Sequence, residues 1–191
     1  MLKIVAFAGS LRAASFNKKL LAIAVEAARV AGAEVTVVDL RELALPLFDQ
    51  DLETASGLPD GAKRFKALLR ESDGFLIASP EYNGSVTAAL KNAIDWASRE
   101  ESDDEPPLVA FQGKVAALMA ASPGGVGGMR SLMTLRGILA HIGVLVLPDQ
   151  VTIPTAHEAF DDAGKLKDER KTKQVAKLAS GLVALATKLK S

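Results

Sequence analysis

Short apolar runs alternate along the chain with longer stretches of helical period. Residues 3–9 carry β-compatible side chains without polar alternation, the pattern of a strand covered on both faces. Beyond Ser15 the spacing turns helical: Leu20, Ala24, Ala27 and Ala31 share one face, and Gly32 supplies a stop. Residues 34–40, 74–79 and 114–121 predict the second, third and fourth strands, and 144–147 with 151–153 the fifth. Residues 59–71 predict a helix with Phe65, Leu68 and Leu69 inward. Another runs over 86–98 with Val86, Leu90, Ala93, Ile94 and Ala97 on one face, and a third ends near Ile142. Residues 43–58, interrupted by Pro46 and Gly57, read as an ordered loop with room for a helical turn. The closing helix is expected over 162–191, its stripe Val175, Leu178, Leu182, Leu185 and Leu189 packing on the sheet or forming a coiled-coil seam.

Strands alternating with helices imply an α/β fold: a parallel sheet with right-handed crossovers and helices on both faces. No linker, repeat or low-complexity tract divides residues 1–191, which are read as one domain. Hydrophobic residues make up 49% of the 191, yet no apolar run has the length of a membrane span. The first residues enter a strand pattern directly and do not read as a signal peptide, so a cytoplasmic location is expected. With no cysteine, disulfides, thiolate metal sites and cysteine nucleophiles drop out. The 23 basic and 23 acidic residues cancel, which argues against a nucleic-acid surface and against an acidic electron carrier docking on basic partners. The acidic run 100–105 reads as a solvated loop.

Two polar loops follow apolar strands and carry the chemistry. The first, residues 9–17, gathers Ser10, Arg12, Ser15 and Asn17 just before a helix, whose first N–H groups favour an anion. A guanidinium adds charge and paired hydrogen bonds. The loop lacks the Gly-Lys-Ser/Thr ending of nucleoside-triphosphate loops, and Ser15 taken alone reads equally as a helix cap. The second is Ser79-Pro80-Glu81-Tyr82-Asn83-Gly84-Ser85, stiffened by proline and relaxed by glycine, with the only tyrosine. It suits the edge of a flat heterocycle. Glu81 reads as an anchor of that loop ahead of a catalytic acid. Ser122 and the run Gly124-Gly125-Val126-Gly127-Gly128 add a pliable wall after the fourth strand. In a sheet of order 2-1-3-4-5 all of these surround the point where strand order reverses.

These residues resemble the NADPH-dependent FMN reductase family, above all its bacterial quinone, chromate and azo-dye reductases. The resemblance rests on Gly9-Ser10-Leu11-Arg12-x-x-Ser15-x-Asn17 and on Pro80-Glu81-Tyr82-Asn83-Gly84-Ser85. Lys91-Asn92-Ala93-Ile94-Asp95-Trp96, the stretch 45–52 and the glycine run add to it. It implies a flavodoxin-like three-layer sandwich. It implies FMN with its phosphate on Ser10, Arg12, Ser15, Phe16 and Asn17. Pro80, Glu81, Tyr82, Asn83 and Gly84 would line the isoalloxazine, with Ser122, Gly124 and Gly125 nearby. It further implies NADPH or NADH as donor, a small-molecule acceptor such as a quinone, chromate or an azo compound, and homodimers or homotetramers in which residues 46–51 are a candidate contact.

The expected activity is therefore an FMN-dependent NAD(P)H oxidoreductase working by a ping-pong cycle, with the flavin as the reacting group and no catalytic side chain. The rival readings are a flavodoxin-like electron carrier and a flavin-binding interaction protein, neither of which would turn over NAD(P)H. His141 and His157 lie outside the loops and are not expected to bind metal. Asp95 and Trp96 are expected to pack or to meet a subunit, and Arg130 is a candidate for the phosphates of the donor.

Overall fold

Side chains buried on both faces organise the centre of the molecule. In the computed structural model, which describes residues 1–190, all five residues of β3 (Gly74–Ala78) and all seven of β4 (Val115–Ala121) are buried. In β1 (Leu2–Ala8) only Lys3 is exposed. The edge strands β2 (Ala33–Asp39) and β5 (Leu145–Ile153) mix buried and exposed positions, as one solvated edge requires. The order is β2-β1-β3-β4-β5 and every pairing is parallel. This is the expected α/β sandwich.

Two apolar clusters fill the faces. On one, α1 (Phe16–Val30) and α7 (Glu169–Lys190) cover Ile4, Ala6, Leu76 and Met119. On the other, α3 (Asp60–Glu71), α4 (Ala88–Ala97) and α5 (Met129–His141) cover Val5, Phe7, Phe75 and Leu118. Because α1 packs against both the sheet and the neighbouring α7, its buried face is wider than one stripe and includes Leu21, Val25 and Ala28. Ala31, expected on that face, is its exposed C-cap.

Elsewhere the structure departs from expectation for local reasons. Residues 43–58 are more ordered than a loop. A 3-10 turn at Leu40–Leu43 leads through left-handed Ala44 and an extended stretch to α2 (Gln50–Ser56). That helix buries no residue, so periodicity was silent; its signal is Asp49, whose carboxylate caps the Asp51 N–H at 2.9 Å. The fifth strand is continuous, with a shift in register between Ala116 and Leu118 that accommodates Pro148 on a free edge. The closing helix begins later than expected. A short α6 (Ala156–Ala159) and a turn bridged by Phe160 and Leu166 come first, and Ser191 lies outside the described residues. Of its stripe, Val175, Leu178 and Leu182 are buried against the sheet, Leu185 partly so, and Leu189 is exposed.

The acidic run is also less solvated than expected. Residues 100–104 are exposed, but the Glu105 carboxylate meets the ammonium of Lys66, which is 2% exposed. Burial alone would raise the Glu105 carboxyl. Hydrogen bonds from Lys66 and the Glu101 N–H outweigh it and hold the group below its ordinary value.

Candidate functional site

Three loops converge at the carboxyl edge of the sheet, after β1, β3 and β4. The first is built around Gly9. Its N–H donates to the Ala78 carbonyl at 2.9 Å, and its own carbonyl accepts from Thr87 Oγ1 at 2.6 Å. A β-carbon there would lie 2.9 Å from Leu90 Cβ and 3.2 Å from Pro80 Cδ. Only glycine lets the first loop press against the second and against α4. Thr87 also caps α4 through the Leu90 N–H, so one side chain ties a helix start to both loops. The Thr-x-x-Leu spacing was the available signal for it.

Ser15 caps α1 by accepting the Asn17 N–H at 3.2 Å. Ser10, 4% exposed, accepts the Arg12 N–H at 3.3 Å. Each hydroxyl keeps its own proton free to donate. Asn17 is differently placed. Its side chain donates to the Ala121 carbonyl at 2.8 Å and accepts the Ala121 N–H at 2.9 Å, which pins the helix start to the end of β4. Arg12 is exposed, with its guanidinium 5.2 Å from the centre of the Phe16 ring.

In the second loop Tyr82 and Ser85 exchange backbone hydrogen bonds of 3.0 and 3.1 Å around Asn83 and Gly84. Both central residues have positive φ, 52° and 76°, as a primed turn demands. The turn leaves the N–H groups of Asn83 and Gly84 unused, and it holds Tyr82 58% exposed. Pro80 is buried beneath. Glu81 accepts the Arg130 backbone N–H at 3.0 Å and its guanidinium at 3.1 Å, clasping the loop to the start of α5. This is the anchoring geometry, and it engages Arg130, the candidate for the donor's phosphates. Beneath it, Ser79 Oγ and Ser131 Oγ lie 2.5 Å apart.

The third loop divides its glycines between two tasks. Gly127 and Gly128 have φ of 64° and 88° and are packed so closely that a β-carbon would meet Pro154 N at 2.8 Å or Ala120 Cβ at 2.7 Å. Gly125 has open space before it, and Gly124 only the Ser122 hydroxyl, which accepts its N–H. The open wall is therefore 124–125, and the close packing lies behind it.

Residues 46–51 flank the site on the α4 side. Asn92 accepts the Phe48 N–H and donates to the Pro46 carbonyl, both at 2.8 Å; Trp96 Nε1 donates to the same carbonyl at 2.8 Å. Trp96 is fully buried and packs edge-on to Phe48 at 5.0 Å. These contacts hold Leu47 outward, 77% exposed, beside a cleft of about 340 Å³ that Leu11, Arg41, Ala88 and Asn92 also line. In the first turn of α1, Lys18 meets Asp39 at the end of β2 at 2.6 Å. Burial pushes the Asp39 carboxyl up, but the Lys18 hydrogen bond, the Arg41 N–H and both nearby charges prevail and lower it. His141 and His157 are exposed and far in sequence from the loops.

Residues 2–158 match the NADPH-dependent FMN reductase family. The chain is 38% identical over 170 residues to an NAD(P)H-dependent FMN reductase of Pseudomonas aeruginosa, covering 88% of this chain and 86% of that one. It is 38% identical over 195 residues to an NAD(P)H:quinone oxidoreductase of Solanum tuberosum, covering 100% and 95%. The solved structure of FerB, a flavoenzyme NAD(P)H:(acceptor) oxidoreductase from Paracoccus denitrificans, superposes with a TM-score of 0.79 at 28% identity and 98% coverage of both chains.

Proposed function

The chain belongs to the NADPH-dependent FMN reductase family, and from that premise we propose how its own residues serve an FMN-dependent NAD(P)H:quinone oxidoreductase. The enzyme class and the cofactor follow from membership; the residue roles, the ping-pong order and the acceptor are our reading. Residues 1–191 act as one flavin-binding domain.

The observation that carries the reading is an anion site beside an open wall. At the start of α1, the Ser15 hydroxyl takes the Asn17 N–H and the Ser15 carbonyl takes the Lys19 N–H. The N–H groups of Phe16 and Lys18 have no acceptor within the helix and suit phosphate oxygens. Ser10 and Ser15 add hydroxyl protons, and Arg12 adds charge and a fork of donors. Asn17 serves by fixing the helix start, since its side chain is committed to β4. The ring-facing wall comprises Pro80, Glu81, Tyr82, Asn83 and Gly84 on one side, with Ser122, Gly124 and Gly125 on the other. The unused N–H groups of Asn83, Gly84 and Gly125 suit the side of a flavin where negative charge develops.

When bound, FMN supplies the two-electron chemistry, accepting hydride from reduced nicotinamide and passing electrons to the acceptor. Glu81, held by Arg130, keeps the loop in place and moves no proton. Tyr82, more than half exposed, borders the face that donor and acceptor use in turn. A small planar quinone fits that shared face best, and chromate and azo compounds are further candidates. Residues 46–51, presented by Asn92 and Trp96, are the surface we assign to a neighbouring subunit in a homodimer or homotetramer.

Stopped-flow mixing of the FMN-loaded protein with NADPH and with NADH tests this. Bleaching of the flavin, restored by added quinone, with parallel lines in double-reciprocal plots, is the expected result. Flavin that stays oxidised with both donors would overturn the turnover reading and favour the electron carrier.

A further inference from the structure

The phosphate loop leaves two cations without a carboxylate. Among the described residues neither Arg12 nor Lys19 forms an ion pair, and both are stacked on aromatic rings instead. The Arg12 guanidinium lies 5.2 Å from the Phe16 ring centre. Phe16 stacks on Phe160 with centres 6.0 Å apart and planes 8° from parallel. Lys19 Nζ lies 5.9 Å from the centre of Phe160. The contacts run Arg12–Phe16–Phe160–Lys19, cation, ring, ring and cation, and tie the first loop and α1 to the segment after α6.

Phe160 is the fixed member of that series. It is 7% exposed, belongs to the core cluster beneath α1 and α7, and pairs its backbone with Leu166. The turn behind it is closed by the Asp161 carboxylate on the Lys165 N–H at 2.8 Å. The family match covers residues 2–158, so this segment lies just beyond it.

Stacking on a ring does something an ion pair would not. A carboxylate would orient Arg12 by cancelling the charge that a phosphate needs. A ring face restrains the guanidinium while leaving its charge and its N–H edge available. Resting on the proposed FMN site, we propose that Phe160 is a positioning residue for the cofactor's phosphate: it buttresses Phe16, which holds Arg12 toward the anion. The segment after α6 thereby contributes to preference for a phosphorylated flavin over riboflavin, although it need not touch the ligand.

Titrating the apoprotein with FMN and with riboflavin, read by quenching of flavin fluorescence, tests the assignment. Phe160→Leu keeps an apolar plug and removes the ring. It is expected to weaken FMN about 5- to 10-fold, change riboflavin less than about twofold, and recover in Phe160→Tyr. In an Arg12→Ala background the same change should have no effect on FMN. Equal losses for both flavins, or a full loss persisting without Arg12, would overturn the proposal and leave Phe160 a packing residue. Should Phe160→Leu fail to fold, surface variants decide. Lys19→Met and Arg12→Ala should be non-additive toward FMN if the series couples them, and additive effects overturn it. Wild-type protein that binds neither flavin would instead strike at the proposed cofactor site itself.

Discussion

The two loops that follow β1 and β3 lie side by side and spend their polar groups in opposite ways. The loop after β3 has polar side chains committed to protein partners. Glu81 is taken up by Arg130, Ser79 by Ser131, and Tyr82 and Ser85 by each other. What it offers a ligand is backbone, in a turn locked by two positive φ angles. The loop after β1 offers charge and hydroxyl protons, and its arginine rests on a ring and forms no ion pair among the described residues. A flat neutral ring needs shape and a few fixed N–H groups, whereas a phosphate needs unspent charge. The contrast matches the two ends of the proposed cofactor.

The largest effect expected from this contrast is on affinity. Arg12→Ala should weaken FMN about 10- to 100-fold, the range of a hydrogen bond to a charged group, while Glu81→Gln should change it less than about threefold. Isothermal titration of both variants checks the pair, and the reverse ranking would break the assignment of the loops. Next comes Gly128→Ala. Its φ of 88° and a β-carbon 2.7 Å from Ala120 Cβ should cost about 2 kcal/mol, lowering the melting temperature by about 4–8 °C. Because Gly128 leads into α5, the change should also loosen the Glu81–Arg130 clasp and expose the ring loop to proteolysis.

A smaller effect, outside both loops, serves as control. Glu105 has a carboxyl lowered from 4.5 by Lys66, the Glu101 N–H and nearby charge, against the upward push of burial. Its contribution is present above that ordinary value and is lost as pH falls through the depressed one. Thermal melts below about pH 4.5 should therefore show the wild type losing more stability than Glu105→Gln, with flavin affinity at neutral pH equal in the two proteins. Smallest is the stability effect of Glu81→Gln. Arg130 is largely exposed, so calorimetry should register a loss under about 1 kcal/mol. A larger loss would mean that the ring loop depends on one ion pair more than on its turn.

Much of this was legible along the chain. The buried strands announced themselves as unbroken apolar runs, and Ser10, Arg12, Ser15 and Gly84 lie in the loops that follow β1 and β3. Asn17 was legible as polar and near a helix start, but its engagement with Ala121 joins positions 104 apart. No periodicity carries that information. The short α2 was foreseen only as room for a helical turn, because a helix that buries nothing leaves no stripe. Nothing in the local pattern singles out Lys66, and only the folded path of the acidic run brings Glu105 over it.

The sequence by itself determined which segments must be covered, since an apolar run of strand length can only be buried, and which turns must carry glycine or a cap. Tertiary structure decided how polar groups are spent. Whether an arginine faces an acid or a ring, and whether a glutamate is a free acid or a clasp, depends on partners from other elements of the chain. Local pattern sees only the nearest few residues, whereas hydrogen bonds and cation–ring contacts are fixed by distance in space.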